Sequence, residues 1–135
     1  MKLFTYLSFD GNCAEAFRFY EKVLGGKLET LMTFADSPMA GQVGPDWQNR
    51  VLHAYLAVDG GAIMGGDAPP GLYAKPAGFC ANIQVDSVEE AERIFNALAE
   101  GGQITLPLQQ SFWAARFGML VDRFGVPWMV NGPAI

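Results

Sequence analysis

The stretch that decides the fold is the C-terminal run Ser111-Phe-Trp-Ala-Ala-Arg-Phe-Gly-Met-Leu-Val-Asp-Arg-Phe-Gly-Val-Pro-Trp-Met-Val-Asn131. Two apolar segments, residues 112–121 and 126–131, flank the connection Asp-Arg-Phe-Gly. Val, Met, Phe and Trp favour strands, and an Asp-x-x-Gly connection is typical of a β-hairpin loop. The run therefore predicts a hairpin that closes the chain, with Trp128 on its core face beside Val126 and Val130.

The first half of the chain carries the same succession of elements as the second. A strand at residues 3–9 precedes a helix whose apolar residues recur at helical spacing up to Leu24 and which Asn12 is predicted to cap. A strand at residues 79–85 precedes a helix opened by the capping box Ser87-Val-Glu-Glu90. Gly-Gly follows each helix, and each half ends in a hairpin. Such an internal repeat is a strong architectural signal.

The repeat predicts an α+β fold made of two βαβββ modules. The modules are expected to form a cupped eight-stranded mixed sheet with the helices outside. We expect one domain over residues 1–135, with module one at 1–67 and module two at 77–135. Module one contains a long insertion at residues 35–50. An insertion of this length is either a functional lid or a solvated surface loop, and the sequence leaves both open.

Composition excludes several classes of function. The 135-residue chain has a net charge of −5 and no basic cluster, so it lacks the positive footprint that nucleic acids require. It has no apolar run long enough to span a membrane. Its N-terminal residues lack the cleavage site of a signal peptide, and we expect a cytoplasmic protein. The two cysteines, Cys13 and Cys80, are therefore expected to be reduced.

Strand alternation predicts which side chains face the cup. In the strand at residues 51–58, His53 and Tyr55 alternate with Leu52, Ala54 and Leu56, which places the first pair on the cup face. Because a slip of one residue would exchange the two faces, all of these assignments depend on one register. The predicted ligand-binding residues, which include Trp113 and Arg116 from the first apolar segment of the closing hairpin, are Tyr6, Ser8, His53, Tyr55, Asn82, Trp113, Arg116, Met129 and Asn131.

More than one interpretation applies to four of these residues. His53 and Tyr55 are the only catalytic candidates, with His53 as a general base, but a lone strand histidine is more often simply hydrogen-bonded. Arg116 either receives an anionic ligand group, pairs with Asp or Glu, or reaches solvent at an edge. Trp113 is either a wall for a planar ligand or part of the core, and it is the better candidate for the wall, whereas Trp128 is expected in the core.

The motifs of this chain resemble those of a known superfamily. The double βαβββ order, Asp-Gly-Asn12 before the first helix, and the closing Asp-Arg-Phe-Gly-Val-Pro-Trp resemble the vicinal oxygen chelate superfamily of glyoxalase I, bleomycin resistance proteins and extradiol dioxygenases. Tyr-Leu-Ser-Phe-Asp-Gly-Asn-Cys13 and Gln-Ser-Phe-Trp-Ala114 resemble its PhnB-like branch. Members of that branch have carried the label 3-demethylubiquinone 3-methyltransferase, but this chain has no Gly-x-Gly cofactor fingerprint and methyl transfer is not expected.

The resemblance implies paired modules, a homodimer and, in many members, a divalent metal held by four His or Glu ligands. The corresponding positions in this sequence are Phe4, Gly65, Cys80 and Met129, none of which is an imidazole or carboxylate. Cofactors are therefore expected to be absent, and a divalent metal is the minor alternative. A histidine often follows Phe-Trp-Ala in PhnB-like relatives, and Ala115 replaces it here.

Together these observations predict a metal-free homodimer that binds a small apolar or aromatic molecule in its cup. The alternative is an enzyme of the glyoxalase or dioxygenase type with a non-standard site at His53, Tyr55 and Arg116. A third interpretation is a structural or regulatory dimer without a ligand. The sequence does not name a reaction.

Overall fold

A computed structural model describes residues 1–135. The chain contains two α-helices and eight strands in the order β-α-β-β-β, twice. The first five elements are β1 (Thr5–Phe9), α1 (Cys13–Leu24), β2 (Lys27–Thr33), β3 (Val51–Val58) and β4 (Gly61–Asp67). The second five are β5 (Ala81–Gln84), α2 (Val88–Ala99), β6 (Gln103–Gln109), β7 (Phe117–Val121) and β8 (Pro127–Asn131). Two short 3₁₀ turns, Ala40–Gln42 and Pro45–Trp47, lie in the insertion.

The eight strands form two four-stranded sheets of identical topology. Their strand orders are β1-β4-β3-β2 and β5-β8-β7-β6, and in each sheet the first strand pairs parallel with the last while the other pairs are antiparallel. The predicted α+β class and the two βαβββ modules are therefore confirmed. The chain separates into two compact units, Met1–Ala74 and Lys75–Ile135, each with one sheet and one helix.

Each helix buries its apolar stripe in the core of its own unit. In α1 the buried residues are Cys13, Ala16, Phe17, Tyr20 and Val23, and in α2 they are Ala91, Ile94, Phe95 and Leu98. The spacing of three and four residues is what a helix needs to present one apolar face. Neither helix has the length and apolar character that crossing a bilayer requires.

The two helices begin differently, and one predicted cap is wrong. The Ser87 hydroxyl accepts a hydrogen bond from the Glu90 backbone N–H at 3.1 Å, as the capping box predicts. Asn12 makes no side-chain capping bond. Asp67, at the end of β4, supplies that acceptor instead, since its Oδ1 receives the N–H groups of Gly11 and Cys13 at 2.8 and 3.1 Å.

Three strands begin later than their apolar runs suggested. Leu3 and Phe79 precede β1 and β5 and are 94% and 55% exposed, because those strands pair with their neighbours only from Thr5 and Ala81 onward. The run from Phe112 to Arg116 is also not a strand. Ser111 starts a tight turn there, in which its hydroxyl accepts the Ala114 N–H at 3.1 Å.

The closing hairpin has the predicted loop and a buried carboxylate at its base. Gly125 has a φ of 89°, and its N–H donates to the Asp122 carbonyl oxygen at 3.0 Å. Asp122 accepts the N–H groups of Phe124 and Val126 on Oδ1 and the indole N–H of Trp128 on Oδ2, at 2.8 to 3.0 Å. Trp128 is 1% exposed, which confirms its assignment to the core.

Candidate functional site

The first unit contains a cavity of about 460 Å³ on the sheet face that turns away from α1. Its floor consists of Tyr6 and Ser8 of β1, Leu52 of β3 and Gly66 of β4. Tyr6 and Ser8 alternate with Leu7 and Phe9, which are buried, so β1 presents these two side chains to the cavity. The alternation in the sequence predicted this orientation of β1.

A bulge in β3 brings Leu52 into the cavity. Met32 pairs with His53 and Thr33 with Val51, which leaves Leu52 without a partner on β2. Such an extra residue shifts the alternation of its strand. Val51 is therefore buried at 1% exposure, and Leu52 lines the cavity together with Tyr6 and Ser8. The prediction that Leu52 faces away from the cup is wrong for this reason.

The insertion between β2 and β3 forms a second wall of the cavity. Met39, Gln42 and Val43 line the cavity from this segment. The Gln48 side-chain amide holds the segment in shape by donating to the carbonyl oxygens of Ala40 and Val43 at 2.8 and 3.0 Å. The insertion therefore forms part of a cavity wall and is held in shape by its own hydrogen bonds.

Arg50 fastens the end of the insertion to the loop before α1. Its guanidinium carbon lies 4.1 Å from the centroid of the Trp47 ring, and its Nη1 lies 3.6 Å from Asp10 Oδ1. Trp47 in turn packs edge to face against Phe34, which lines the cavity, at 5.9 Å between ring centroids. Exposed ion pairs contribute little by themselves, whereas the aromatic contacts help to hold the insertion against the end of β2.

The segment after β4 completes the wall with Ala68, Pro69, Pro70 and Leu72. A turn in which the Leu72 N–H donates to the Pro69 carbonyl at 3.0 Å shapes this segment. These residues lie between the two predicted modules, and none of them was among the predicted site residues. The signal that points to this segment is the rigid Pro-Pro pair.

Most polar groups around the cavity are already engaged. The Tyr6 hydroxyl donates to the Leu52 carbonyl oxygen at 3.4 Å, and the Asp67 carboxylate accepts three backbone N–H groups, from Gly11, Cys13 and Val51. Burial, with a smaller contribution from the Cys13 thiol, raises the pKa of Tyr6. The hydroxyl therefore remains protonated at neutral pH and acts as a hydrogen-bonding group rather than a base.

His53 and Tyr55 lie beside the cavity in an aromatic layer. The imidazole stacks on the Tyr6 ring at 6.1 Å between centroids, and the Tyr55 ring meets Phe4 edge to face at 6.0 Å. His53 has no hydrogen-bond partner within the protein, and neither residue lines the cavity. The arrangement provides no acid, nucleophile or metal next to the imidazole.

Two of the predicted site residues in the second unit are joined by a hydrogen bond. Trp113 donates its indole N–H to Asn131 Oδ1 at 3.0 Å and packs against Phe117 at 4.9 Å between centroids. In the sheet, Asn82 is opposite Met129 and Gln84 is opposite Asn131, so these side chains share one face. Trp113 is 40% exposed, which leaves much of its ring open to solvent.

Arg116 lies just before β7 and points to α2. Its Nε is 3.3 Å from Glu92 Oε1, and its Nη1 donates to the Ala115 carbonyl oxygen at 2.8 Å. Of the three interpretations of Arg116, pairing with Asp or Glu therefore agrees with its contact to Glu92. Arg116 also lies outside the strand that the apolar segment 112–121 predicted. It belongs to the second unit, whereas His53 and Tyr55 belong to the first.

The positions at which the superfamily resemblance implies metal ligands do not suit a divalent cation. Gly65 faces α1, since a Cβ on it would lie 2.7 Å from the Phe17 ring. The counterpart of Met129 in the first sheet is instead Met64, on the other face of β4, because Met64 pairs with Tyr6 as Met129 pairs with Asn82. The side chains at these positions are hydrocarbon, thioether or thiol, and hard cations require oxygen or nitrogen donors. No group of three or more His, Cys, Asp or Glu side chains converges elsewhere.

Comparison with known proteins places the chain in a family. A family model described as 3-demethylubiquinone-9 3-methyltransferase matches residues 1–131. Protein YjdN from Escherichia coli strain K12 is 38% identical over 141 residues, which cover 97% of this chain and 95% of that protein. Protein PA1353 from Pseudomonas aeruginosa is 48% identical in sequence, and its crystal structure superposes with a TM-score of 0.90. The match covers 98% of this chain and 97% of PA1353.

Two further structures connect the family with the fold. A PhnB protein from Bacillus cereus, described as a putative 3-demethylubiquinone-9 3-methyltransferase, is 26% identical with a TM-score of 0.79 and covers 98% of this chain and all of its own. A glyoxylase/bleomycin resistance protein/dioxygenase domain from Frankia sp. EAN1pec shares the fold at 16% identity, with a TM-score of 0.67 and coverage of 98% and 96%. The chain therefore belongs to the 3-demethylubiquinone-9 3-methyltransferase family, is similar to the PhnB protein, and shares its fold with the glyoxylase/bleomycin resistance protein/dioxygenase domain.

Proposed function

We propose that the protein binds a small, mostly apolar molecule in the cavity of its first unit. The observation that supports this proposal is the lining, in which a sheet face, an ordered insertion and a Pro-Pro segment surround about 460 Å³. This volume lies within the range of small-molecule sites, which are mainly apolar with a few polar groups. Phe34, Met39, Val43, Leu52 and Leu72 supply the apolar contacts.

The proposed activity is binding, and methyl transfer is not part of it. In nucleotide-binding α/β folds, free N–H groups at the first strand-to-helix turn hold the cofactor. At the equivalent turn of this chain, the N–H groups of Gly11 and Cys13 donate to Asp67 instead. Isothermal titration with S-adenosylmethionine tests this directly. Stoichiometric binding of that compound would contradict the proposal.

A neutral apolar dye, N-phenyl-1-naphthylamine, is a suitable probe of the cavity because its fluorescence rises in apolar surroundings. We expect saturable binding at one site per chain. Ser8→Phe places a ring on the cavity floor and is expected to weaken binding on the order of tenfold, which corresponds to the loss of about 1.4 kcal/mol.

The matched control is Gln84→Phe. Gln84 is the counterpart of Ser8 in the repeat, is likewise exposed on its strand and does not line the cavity. This variant should bind the dye like the parent protein. Equal weakening by both substitutions, or no saturable binding by a folded parent protein, would contradict the proposed site.

We also propose that the protein is a homodimer. Several apolar side chains are largely exposed in the single chain, among them Leu3 at 94%, Phe112 at 89% and Ile135 at 67%. Exposed apolar groups of this kind commonly mark contacts between subunits. Sedimentation equilibrium across a concentration range tests the proposal, and a monomer at all concentrations would contradict it.

A further inference from the structure

The cavity of the first unit has no positively charged side chain on its wall. Neither Lys, Arg nor His lines it. Arg50, at the end of the insertion, is occupied by the Trp47 ring and the Asp10 carboxylate. An anion that entered the cavity would therefore lose part of its hydration without gaining a contact to a positive charge.

The polar side chains that remain available in the cavity are neutral. The Ser8 hydroxyl and the Gln42 side-chain amide line the cavity and make no hydrogen bond within the protein. The Asp67 carboxylate is committed to three backbone N–H groups, and the Tyr6 hydroxyl to the Leu52 carbonyl oxygen. A hydroxyl and an amide can each donate and accept one or more hydrogen bonds, but they cannot neutralise a charge.

We infer that the cavity selects uncharged ligands and rejects carboxylates, sulfonates and phosphates. This inference rests on the proposed binding function and specifies its ligand class. The ligand is a mostly apolar molecule with one or two neutral polar groups, such as a hydroxyl, carbonyl or ether oxygen, which Ser8 and Gln42 receive. The net charge of −5 on the whole chain adds to the discrimination against anions.

Two dyes with the same aromatic framework test the inference. N-Phenyl-1-naphthylamine is neutral, and 1-anilinonaphthalene-8-sulfonate is the same framework with a sulfonate. We expect the parent protein to bind the neutral dye at least about tenfold more tightly than the sulfonate. Fluorescence titration at low ionic strength measures the two dissociation constants.

A charge-introducing variant separates charge from size. Gln42→Lys places a cation on the cavity wall and is expected to strengthen binding of the sulfonate several-fold while leaving the neutral dye nearly unchanged. Gln109→Lys makes the same change in net charge on the exposed surface of β6, away from the cavity lining, and should leave both affinities unchanged. Circular dichroism confirms that both variants are folded.

The outcomes separate the inference from the function on which it rests. If the neutral dye fails to bind, the proposed function is overturned and the inference falls with it. If both dyes bind with equal affinity and Ser8→Phe weakens both, the binding site stands and the selectivity is overturned. Weak binding of the sulfonate that Gln42→Lys does not improve would also overturn the inference, because charge would not be the cause.

Discussion

The Tyr6 hydroxyl lies 3.4 Å from the Leu52 carbonyl oxygen, to which it donates a hydrogen bond across the intervening strand β4. Gly66 is the β4 residue beneath this contact. A Cβ at Gly66 would lie 2.7 Å from the Leu52 oxygen and 2.8 Å from the Tyr6 hydroxyl. The cavity floor therefore depends on a missing side chain, and Gly66 is a structural part of the site.

Gly66→Ala is expected to destabilise the protein by about 1–3 kcal/mol, because one methyl group is forced against a backbone oxygen and a hydroxyl. Urea denaturation measures the free energy of unfolding. Gly61→Ala is the control, since Gly61 lies in the same strand, has no positive φ, and offers open space to an added Cβ, with no atom within 4 Å. Equal effects of the two substitutions would contradict the steric explanation.

Asp67 is expected to be among the most important polar residues for stability. Asp67→Ala leaves three backbone N–H groups without their acceptor, of which those of Cys13 and Val51 are buried. We expect the free energy of unfolding to fall by at least about 3 kcal/mol. Asp86→Ala removes an exposed carboxylate and should change the value by no more than about 0.5 kcal/mol. A similar small loss from both substitutions would show that the buried carboxylate is dispensable.

The two predicted helix caps allow a direct comparison. Ser87→Ala removes the acceptor of the Glu90 N–H and is expected to cost about 1 kcal/mol. Asn12→Ala removes a side chain that makes no capping bond, and a loss of only a few tenths of a kcal/mol is expected. Chemical denaturation of both variants checks the difference. A cost for Asn12→Ala as large as that for Ser87→Ala would restore Asn12 as the cap.

The buried thiol of Cys13 predicts a loss of stability at alkaline pH. Burial, reinforced by the Asp67 carboxylate, raises the pKa of Cys13 above its ordinary value. Because the folded chain holds this proton more tightly than the unfolded chain, its contribution is fully present below about pH 8.5 and declines as the pH rises further. The raised pKa of Tyr6 extends the decline above about pH 10.

Cys13→Ala should therefore flatten the fall in the free energy of unfolding between about pH 8.5 and 10. Cys80→Ala leaves the buried thiol in place and should retain the fall. Native Cys13 should also resist alkylation by iodoacetamide at about pH 8, since the thiolate is the reactive form. Rapid labelling of Cys13 in the folded protein would contradict the assigned burial.

The sequence by itself determined the architecture, because each helix and strand carries a periodic apolar pattern that depends on near neighbours alone. The bounds of α1, the Ser87 cap, the hairpin loop at Gly125 and the exposed positions of Tyr6 and Ser8 all follow from such local patterns.

Only the tertiary structure decided where the cavity lies and what holds it in place. The bulge at Leu52, the capping of α1 by Asp67 and the Glu92 partner of Arg116 join residues that are far apart in the chain or depend on the register between strands. Periodicity reports which face a residue occupies within its own element, but it does not report which distant segment covers that face. The insertion wall at Met39, Gln42 and Val43 is such a segment, and only the tertiary structure shows that it covers the face of the sheet at Tyr6 and Ser8.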